Sequence, residues 1–331
     1  MMKERNYSID LVKVIAMLGV IGLHSFGHYM DNSQIADVLY RTSGVSIPLF
    51  FVVSGYLMAS KENVNWNYTL KKIVGILRYV AVMCVAYFIC ATLLTRQFNP
   101  LLLLNTYWQS FFQEGFWWQF WYLGAMIIIY ALLPIIFKII NKSNWNIVLI
   151  GLFLLLCCNI VFISNLKCQT EPQICQTLRL WNWLFYFMMG VFFMRYKIRL
   201  SINTFFVLVL SGGGILNVLF QRWLINDIDN AACEFFYSSM PLMVLVGLLF
   251  AVIVSLKLSD AVKKCIGVIS PLFLPVYTFH IFFTARIFRS ALSVGIYWLD
   301  SILLFFFVSI LSILFSYILM RIKYVDKFIH I

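Results

Sequence analysis

The sequence predicts an all-α, polytopic membrane protein with about ten transmembrane helices around a central cavity. Of the 331 residues, 63% are hydrophobic and 11% are charged, and this charged share is well below that of soluble domains. A soluble domain of this length could not bury so much apolar surface in one core. No polar stretch is long enough for a separate soluble domain, so residues 1–331 are expected to form a single membrane-embedded domain.

Ten apolar segments follow one another, and each is close to the roughly 20 residues that a membrane helix needs. The first is too long for a signal-peptide core and no small-residue cleavage site follows it, so we expect it to be retained. The interrupted apolar segment 99–113 is expected to lie in the membrane interface. The predicted membrane segments are 9–30, 44–60, 73–95, 119–140, 145–164, 180–196, 203–223, 238–257, 268–290 and 298–321.

The net charge of +12 is distributed over the ends of these segments. With the N-terminus in the cytoplasm, sixteen basic residues fall at cytoplasmic ends and seven in outer loops, while Lys13 and Arg78 lie inside predicted helices. Such an asymmetry is the positive-inside pattern of membrane proteins. It predicts ten helices with both termini in the cytoplasm, and it argues against nucleic-acid binding, which needs a continuous basic patch.

The eight cysteines show no metal-ligand spacing beside histidines, so no metal site is expected. Cys168 and Cys175 share the third predicted outer loop, which is an oxidising compartment if the topology is correct. A small disulfide loop and two free thiols are both compatible with this spacing, because the sequence does not give the distance between the two residues.

The first segment carries three ionisable side chains, Asp10, Lys13 and His24, and such groups inside a membrane helix are commonly functional or paired. His24 lies eleven positions after Lys13, which corresponds to about 16 Å and nearly a whole number of helical turns. A lysine can bind phosphates as a point charge, and an imidazole can act as a general base for a hydroxyl. The alternatives are a snorkelling lysine paired with Asp10 and a histidine that only hydrogen-bonds between helices.

The surroundings of these residues resemble the first-helix signature of the acyltransferase-3 family, in which a basic residue and a histidine are separated by ten residues. These are bacterial membrane O-acyltransferases that act mostly on surface polysaccharides. Three further motifs follow in the expected order, and together the four motifs span most of the chain. They are SIPLFFVVSGYLMA (Ser46 to Ala59), FWYLGAMIIIYALLPII (Phe120 to Ile136) and PVYTFHIFF (Pro275 to Phe283).

The resemblance implies a bacterial inner-membrane enzyme that uses cytoplasmic acyl-CoA, with acetyl-CoA as the expected donor. It further implies a glycan or lipid-linked saccharide as the acceptor, membrane lipid as the surroundings, and no metal. His24 is then the candidate catalytic residue, as a general base or as a transient acyl carrier. The candidate phosphate-binding residues are Lys13, Lys72 and Arg78, and the supporting residues are Asp10, Ser54, Tyr122 and His280.

Several of these residues have a simpler explanation. Lys72 is accounted for by ordinary positive-inside flanking, and Ser54 with Gly55 by close helix packing. Tyr122 is compatible with an aromatic belt at the membrane surface, and His280 with a hydrogen-bonded packing pair.

The chain departs from the family pattern at several positions. Lys13 stands where arginine is usual and cannot give its bidentate phosphate geometry, and Gln119 stands where many relatives have histidine. The basic cluster of Lys71, Lys72 and Arg78 is looser than the family's arginine pattern.

A transporter or flippase for a glycan or small polar solute is the alternative function. It predicts helices that are broken near the membrane midplane, and the only candidate break in the sequence is the glycine run Gly212–Gly214. The sequence leaves open the acceptor sugar, the length of the acyl group and the oligomeric state.

Overall fold

The computed structural model describes residues 5–61, 63–168, 173–198, 200, 204–225, 233–284 and 294–323, and only the backbone of residues 168, 204–208 and 233. Within these ranges every regular element is a helix, which confirms the predicted all-α fold class. The α-helices are α1 (Tyr7–Gly27), α2 (Gln34–Ser43), α3 (Ser46–Ala59), α4 (Trp66–Thr95), α5 (Pro100–Phe111), α6 (Trp121–Ile140), α7 (Trp145–Cys168), α8 (Leu180–Arg195), α9 (Thr204–Ile225), α10 (Met240–Ser255), α11 (Asp260–Ile269), α12 (Phe273–Phe282) and α13 (Tyr297–Leu319).

Seven helical stretches in the described part of the chain are long and apolar enough to cross a membrane. Two of them combine two helices each, α2 with α3 and α11 with α12. The other predicted segments coincide with α8, α9 and the shorter apolar helix α10. The protein is therefore a multi-pass membrane protein, and a total of ten crossings stays a prediction.

One predicted boundary was wrong for a local reason. The third segment begins at Trp66 rather than at residue 73, because the Asn65 side chain accepts a hydrogen bond from the Tyr68 backbone N–H at 2.9 Å and caps the helix. Lys72 therefore lies inside α4 and not before it. The segment at 99–113 forms α5, whose twelve residues span only about 18 Å, too short to cross a bilayer.

The prediction of a helix break at the glycine run was also wrong. Gly212–Gly214 lie within α9, which continues through them to Ile225. The interruption instead falls in the predicted segment 268–290, which begins earlier, at Asp260, and is broken at the short 3-10 turn Ser270–Leu272 between α11 and α12. Pro271 lies in this turn and has no backbone N–H to continue the hydrogen-bond ladder of α11. Residues 285–290 of the predicted segment lie outside the described residues.

Helix α1 is the central helix of the bundle. It contacts α2, α3, α10, α11, α12 and α13, and most of its residues are buried. Two of its glycines allow a close approach to the α2–α3 region, because a Cβ added at Gly19 would lie 2.0 Å from the Ser46 hydroxyl, and one at Gly22 would lie 2.6 Å from the Ser43 hydroxyl. Any side chain that α1 directs inward is therefore surrounded by other helices rather than by lipid.

Helices α3 and α8 pack with their backbones in contact. A Cβ added at Gly55 would lie 1.9 Å from the Phe187 carbonyl oxygen, and one at Gly190 would lie 1.9 Å from the Val52 carbonyl oxygen. Small residues permit this approach in membrane bundles, where close van der Waals contact helps hold helices together. The packing explanation for the Ser54–Gly55 pair therefore applies to Gly55, which leaves Ser54 to be considered separately.

Three further short 3-10 turns precede α6, α8 and α10 and bring polar side chains into the bundle. They are Trp118–Phe120 before α6, Gln176–Leu178 before α8 and Cys233–Phe236 before α10. The predicted choice between a Cys168–Cys175 disulfide and two thiols lies partly outside the described residues, because the Cys168 side chain is not described. Cys175, directly before the second turn, is a free thiol.

Candidate active site

Two cavities lie along α1, one at each end. The Lys13 cavity has a volume of about 350 Å³ and is lined by Lys13, Ser54, Tyr130 and Ser270 among others. The His24 cavity has a volume of about 200 Å³, and His24 lies in its wall. Because α1 is one continuous helix from Tyr7 to Gly27, Lys13 and His24 lie about 16 Å apart on the same side of it.

Phe50 and Tyr122 form a wall that both cavities share. Both side chains are buried and their ring centroids lie 6.0 Å apart. The Tyr122 hydroxyl and the Ser54 hydroxyl are within hydrogen-bond distance at 3.3 Å. Ser54 lines the Lys13 cavity beside this wall, one residue before the packing glycine Gly55. Tyr122 is thus a buried wall residue rather than a member of a surface aromatic belt.

Asp10 organises the Lys13 end of the site. Its carboxylate accepts hydrogen bonds from Lys13 Nζ at 3.2 Å, from Arg5 Nε at 2.6 Å and from the Ser270 hydroxyl at 2.8 Å. Asp10 is buried, so these three donors replace the water that the carboxylate has lost. The Ser270 contact also ties α1 to the interruption between α11 and α12. Sequence reasoning identified the Asp10–Lys13 pair but missed Arg5 and Ser270.

Lys72 and Arg78 lie on different faces of α4. Lys72 is half-buried and lies one turn before Ile76, which lines the Lys13 cavity, so the two residues share a face of the helix. Arg78 is exposed, as is Val74 one turn before it. The structure thus places Lys72 on the same face of α4 as the cavity-lining Ile76 and leaves Arg78 on the outer face of the bundle.

His24 lies between two aromatic rings. Its ring centroid is 5.3 Å from that of Trp118 in an edge-on arrangement, and 5.2 Å from that of His280. The side chain is half-buried and forms no hydrogen bond with another described residue. Its ring nitrogens are therefore available to a molecule that enters the cavity.

His280 is completely buried beside His24. Its Nδ1 is 2.7 Å from the Tyr277 carbonyl oxygen and 3.2 Å from that of Val276. Because carbonyl oxygens only accept, Nδ1 carries the hydrogen, and in the neutral ring Nε2 is an acceptor. Nε2 has no partner among the described residues. His280 is thus oriented by its own helix, and the second nitrogen of its ring is unused.

The turn before α6 holds α12 in place. The Tyr277 hydroxyl donates to the Gln119 carbonyl oxygen, and Gln119 Nε2 donates to the Thr278 carbonyl oxygen at 3.2 Å. The Thr278 hydroxyl in turn pairs with the Tyr79 hydroxyl of α4. Gln119 is therefore a buried residue that orients the helix carrying His280.

Sequence reasoning also missed the acidic and amide side chains of the His24 cavity. Glu234, Gln113 and Gln176 line it together with Gln119. Glu234 and Gln176 come from turns before different helices and lie 58 positions apart in the chain, so no local pattern joins them. The one available signal was that Glu234 is an acidic residue in a chain with only 13 of them. In the described ranges, no three His, Cys, Asp or Glu side chains cluster as a metal site would require.

Comparison of the sequence with known proteins identifies the family. The sequence model of the acyltransferase-3 family, described as an acyltransferase domain, matches residues 6–321. The chain belongs to this family. The acyltransferase match includes α1, both cavities, the interrupted span and all four motifs.

A second similarity is partial. Over 165 residues the chain is 26% identical to an amino-acid racemase of Enterococcus faecalis, and this covers 46% of the chain and 23% of the racemase. The chain thus spans about a quarter of the length of this curated relative. No solved structure matches the acyltransferase chain.

Proposed function

We propose that this protein is a membrane O-acyltransferase that moves an acyl group, acetyl in the first instance, from acyl-CoA to a hydroxyl of a cell-surface glycan or lipid-linked saccharide. Membership of the acyltransferase family supports the reaction class. The observation that carries the proposal is that one helix directs Lys13 into one cavity and His24 into another, with Phe50 and Tyr122 in the wall between them. An elongated donor with an anionic head and a reactive tip fits this arrangement.

The Lys13 end is the proposed donor end. Lys13 offers three N–H donors, of which one contacts Asp10, so two remain for phosphate oxygens. Asp10 holds the lysine in place and does not itself contact the donor. Lys72, on the cavity-facing side of α4, supplies a second positive charge. The part of Arg78 in phosphate binding stays a prediction, since its side chain lies on the exposed face.

His24 is the proposed catalytic residue. One of its nitrogens takes the proton of the acceptor hydroxyl as the hydroxyl oxygen bonds to the thioester carbonyl carbon. The carbon–sulfur bond then breaks, and the leaving thiolate takes up the proton that His24 has received. His280, whose ring centroid lies 5.2 Å from that of His24, is proposed to orient the His24 ring. An acyl group carried transiently on His24 is the alternative course, and acid quenching followed by mass spectrometry of the protein distinguishes the two.

The excess of basic residues at one set of helix ends supports an orientation with both termini in the cytoplasm of a bacterial inner membrane. The Lys13 cavity then faces the cytoplasm, where acyl-CoA is made, and the His24 cavity faces the outer side, where surface glycans are modified.

The test is acyl transfer by the purified protein in lipid nanodiscs. Labelled acetyl-CoA is supplied with a bacterial glycan extract, and the label is expected in alkali-labile ester linkage to saccharide. His24→Ala is expected to abolish transfer while leaving the thermal unfolding midpoint within a few degrees of that of the wild type. A folded His24→Ala protein that transfers label at the normal rate would refute the role of His24.

A transporter or flippase is the alternative, and the interrupted span at Ser270–Leu272 is the feature that favours it, since broken helices accompany many transport sites. The same reconstituted protein separates the two functions. Uptake of unmodified solute into sealed vesicles, without any ester product from acetyl-CoA, would favour transport.

A further inference from the structure

The wall of the His24 cavity is rich in hydrogen-bond acceptors. It contains the Glu234 carboxylate and the side-chain amides of Gln119 and Gln176. None of the described residues lining this cavity is Lys or Arg. In the described part of the chain, no salt bridge joins Glu234 to a cation, and its Oε2 accepts from the Gln176 amide. Glu234 is half-buried, and a carboxylate that has lost part of its water without gaining a neutralising side chain is destabilised, unless the ligand supplies the cation.

The orientation of both glutamine amides is determined by their partners. Gln176 Nε2 donates to Glu234 Oε2, and an ionised carboxylate can only accept, so the Gln176 amide oxygen points elsewhere. Gln119 Nε2 donates to the Thr278 carbonyl oxygen at 3.2 Å, which leaves the Gln119 amide oxygen. Both amide oxygens are buried and lack a partner among the described residues. Buried acceptors are normally paired, and because Gln176 and Gln119 both line the cavity, a ligand with several N–H or O–H donors would pair with both oxygens after small shifts of the two side chains.

Gln176 is held rigidly. Its backbone N–H donates to the Gln113 amide oxygen at 3.1 Å, and its carbonyl oxygen accepts from the Trp183 indole N–H at 2.6 Å. Gln176 itself is 1% exposed. The Glu234–Gln176 pair is therefore a prearranged feature of the cavity wall rather than a pair of mobile surface side chains.

We propose that the acceptor carries a protonated amine next to the hydroxyl that is acylated, and that Glu234 binds this ammonium group with help from the amide oxygens of Gln176 and Gln119. The inference rests on the proposed acyl transfer and names the class of acceptor: an amino sugar with a free amine, or another amino alcohol of similar size. An ammonium group offers three donors and a positive charge, which matches the carboxylate and the two unpartnered oxygens.

The arrangement also explains why oxygen rather than nitrogen would be acylated. An amine that keeps its proton against Glu234 has no lone pair for attack on the thioester. The neighbouring hydroxyl, deprotonated by His24, forms the ester, and the thiol leaves as in the reaction above. The product is then an O-acyl amino compound whose amine is free.

The experiment compares methyl glucosaminide with methyl glucoside, which differ only in the amine at one carbon, as ligands and as acceptors of the full-length protein in nanodiscs. Wild-type protein is expected to prefer the aminoglycoside about tenfold or more, the usual effect of a hydrogen bond to a charged group. Glu234→Gln is expected to reduce the preference to within about twofold, and Glu234→Asp, which keeps the charge, to retain part of it. Glu114→Gln is the matched control, because Glu114 is exposed, lies in a loop of the same outer side in the proposed topology, and does not line the cavity.

Two readouts keep the outcomes separate. A rise of the unfolding midpoint when the ligand is added reports binding, whether or not acyl transfer follows. The alkali lability of the product distinguishes esters from amides. Equal binding of the two glycosides by wild-type protein, no binding of the aminoglycoside, or an unchanged preference in Glu234→Gln would overturn the inference and leave the acyl transfer standing. Binding of the aminoglycoside without any transfer from acetyl-CoA would instead contradict the proposed function.

Discussion

At the scale of single residues, the candidate site depends on buried polar groups whose partners come from distant parts of the chain. Asp10 joins Arg5 and Lys13 of its own helix region to Ser270, which is 260 positions away. His280 is oriented by carbonyl groups of its own helix and contacts the His24 ring from there. Each of these residues has its own specific partners. Single substitutions can therefore distinguish effects on donor binding from effects on side-chain orientation and on the stability of the fold.

If Lys13 binds the donor as proposed, its replacement by alanine is expected to raise the KM for acetyl-CoA about tenfold, because the proposed charged hydrogen bond to phosphate would be lost, with a smaller change in kcat. Lys13→Arg keeps the charge and is expected to remain within about threefold of the wild type, on the same scale. Steady-state kinetics in nanodiscs measure both values. Lys142→Ala removes an exposed charge and serves as the control. A normal KM in folded Lys13→Ala protein would exclude donor binding by Lys13.

Replacement of Asp10 by asparagine is expected to lower the free energy of unfolding by about 1–3 kcal/mol, since the two cations lose their buried negative partner. The thermal unfolding midpoint in detergent measures this loss. Asp31→Asn changes an exposed carboxylate in the same way and should leave the midpoint unchanged. Equal midpoints for the two variants would show that the Asp10 contacts do not stabilise the bundle.

At the scale of the helices, the sequence predicted which helices exist and which residues share a helix face. It predicted less well where helices end and where they are interrupted. Lys13 and His24 share one side of α1 because a long apolar run keeps a regular helical period, and this required no tertiary information. The early start of α4 depended on a single Asn65 cap. The break at Ser270–Leu272 is stabilised by the contact of Ser270 with Asp10, which local pattern does not contain.

The polar wall of the His24 cavity likewise could not be predicted from local sequence patterns. Glu234 and Gln176 meet only because α8 and α10 are neighbours in the bundle, and their turns then face one cavity. The family motifs identified the helices that form the cavity, since Tyr122 and Tyr277 belong to them. The loop residues that give the cavity its charge lie outside those motifs and emerged only from the folded chain.

The contact between α3 and α8 gives a prediction about packing. Alanine at Gly55 or at Gly190 would place a Cβ 1.9 Å from a carbonyl oxygen of the other helix. The helices must then separate, at an expected loss of at least about 2 kcal/mol and a lower yield of monodisperse protein. Gel filtration and thermal unfolding measure both effects.

Gly212 and Gly151 are the controls for this packing prediction, since nothing lies within 4 Å of a Cβ added at either position. Alanine there is expected to be tolerated or slightly stabilising, because alanine favours the helix over glycine. Similar losses at all four glycines would contradict a specific α3–α8 contact.

At the scale of the whole molecule, the uneven distribution of basic residues supports the proposed orientation, with both termini in the cytoplasm. Cys175 precedes α8 on the proposed outer side, and the exposed Cys265 lies in α11 on the proposed cytoplasmic side. A membrane-impermeant maleimide added to intact cells is expected to label Cys175 and to spare Cys265, with both labelled after permeabilisation. Cys175→Ser and Cys265→Ser variants assign the signals by mass spectrometry. Labelling of Cys265 alone in intact cells would reverse the topology.

The buried aromatic wall of Phe50 and Tyr122 has a consequence for the proton gradient across the membrane. An enzyme that draws its two substrates from opposite faces of a bilayer must let a narrow organic chain reach across while blocking hydrated ions and protons. The buried Phe50 and Tyr122 rings, whose centroids lie 6.0 Å apart, separate the two cavities, and in the proposed reaction they would part for the donor's chain and close behind it. Between turnovers, the proton-motive force would then be preserved across a protein whose interior is hollow at both ends.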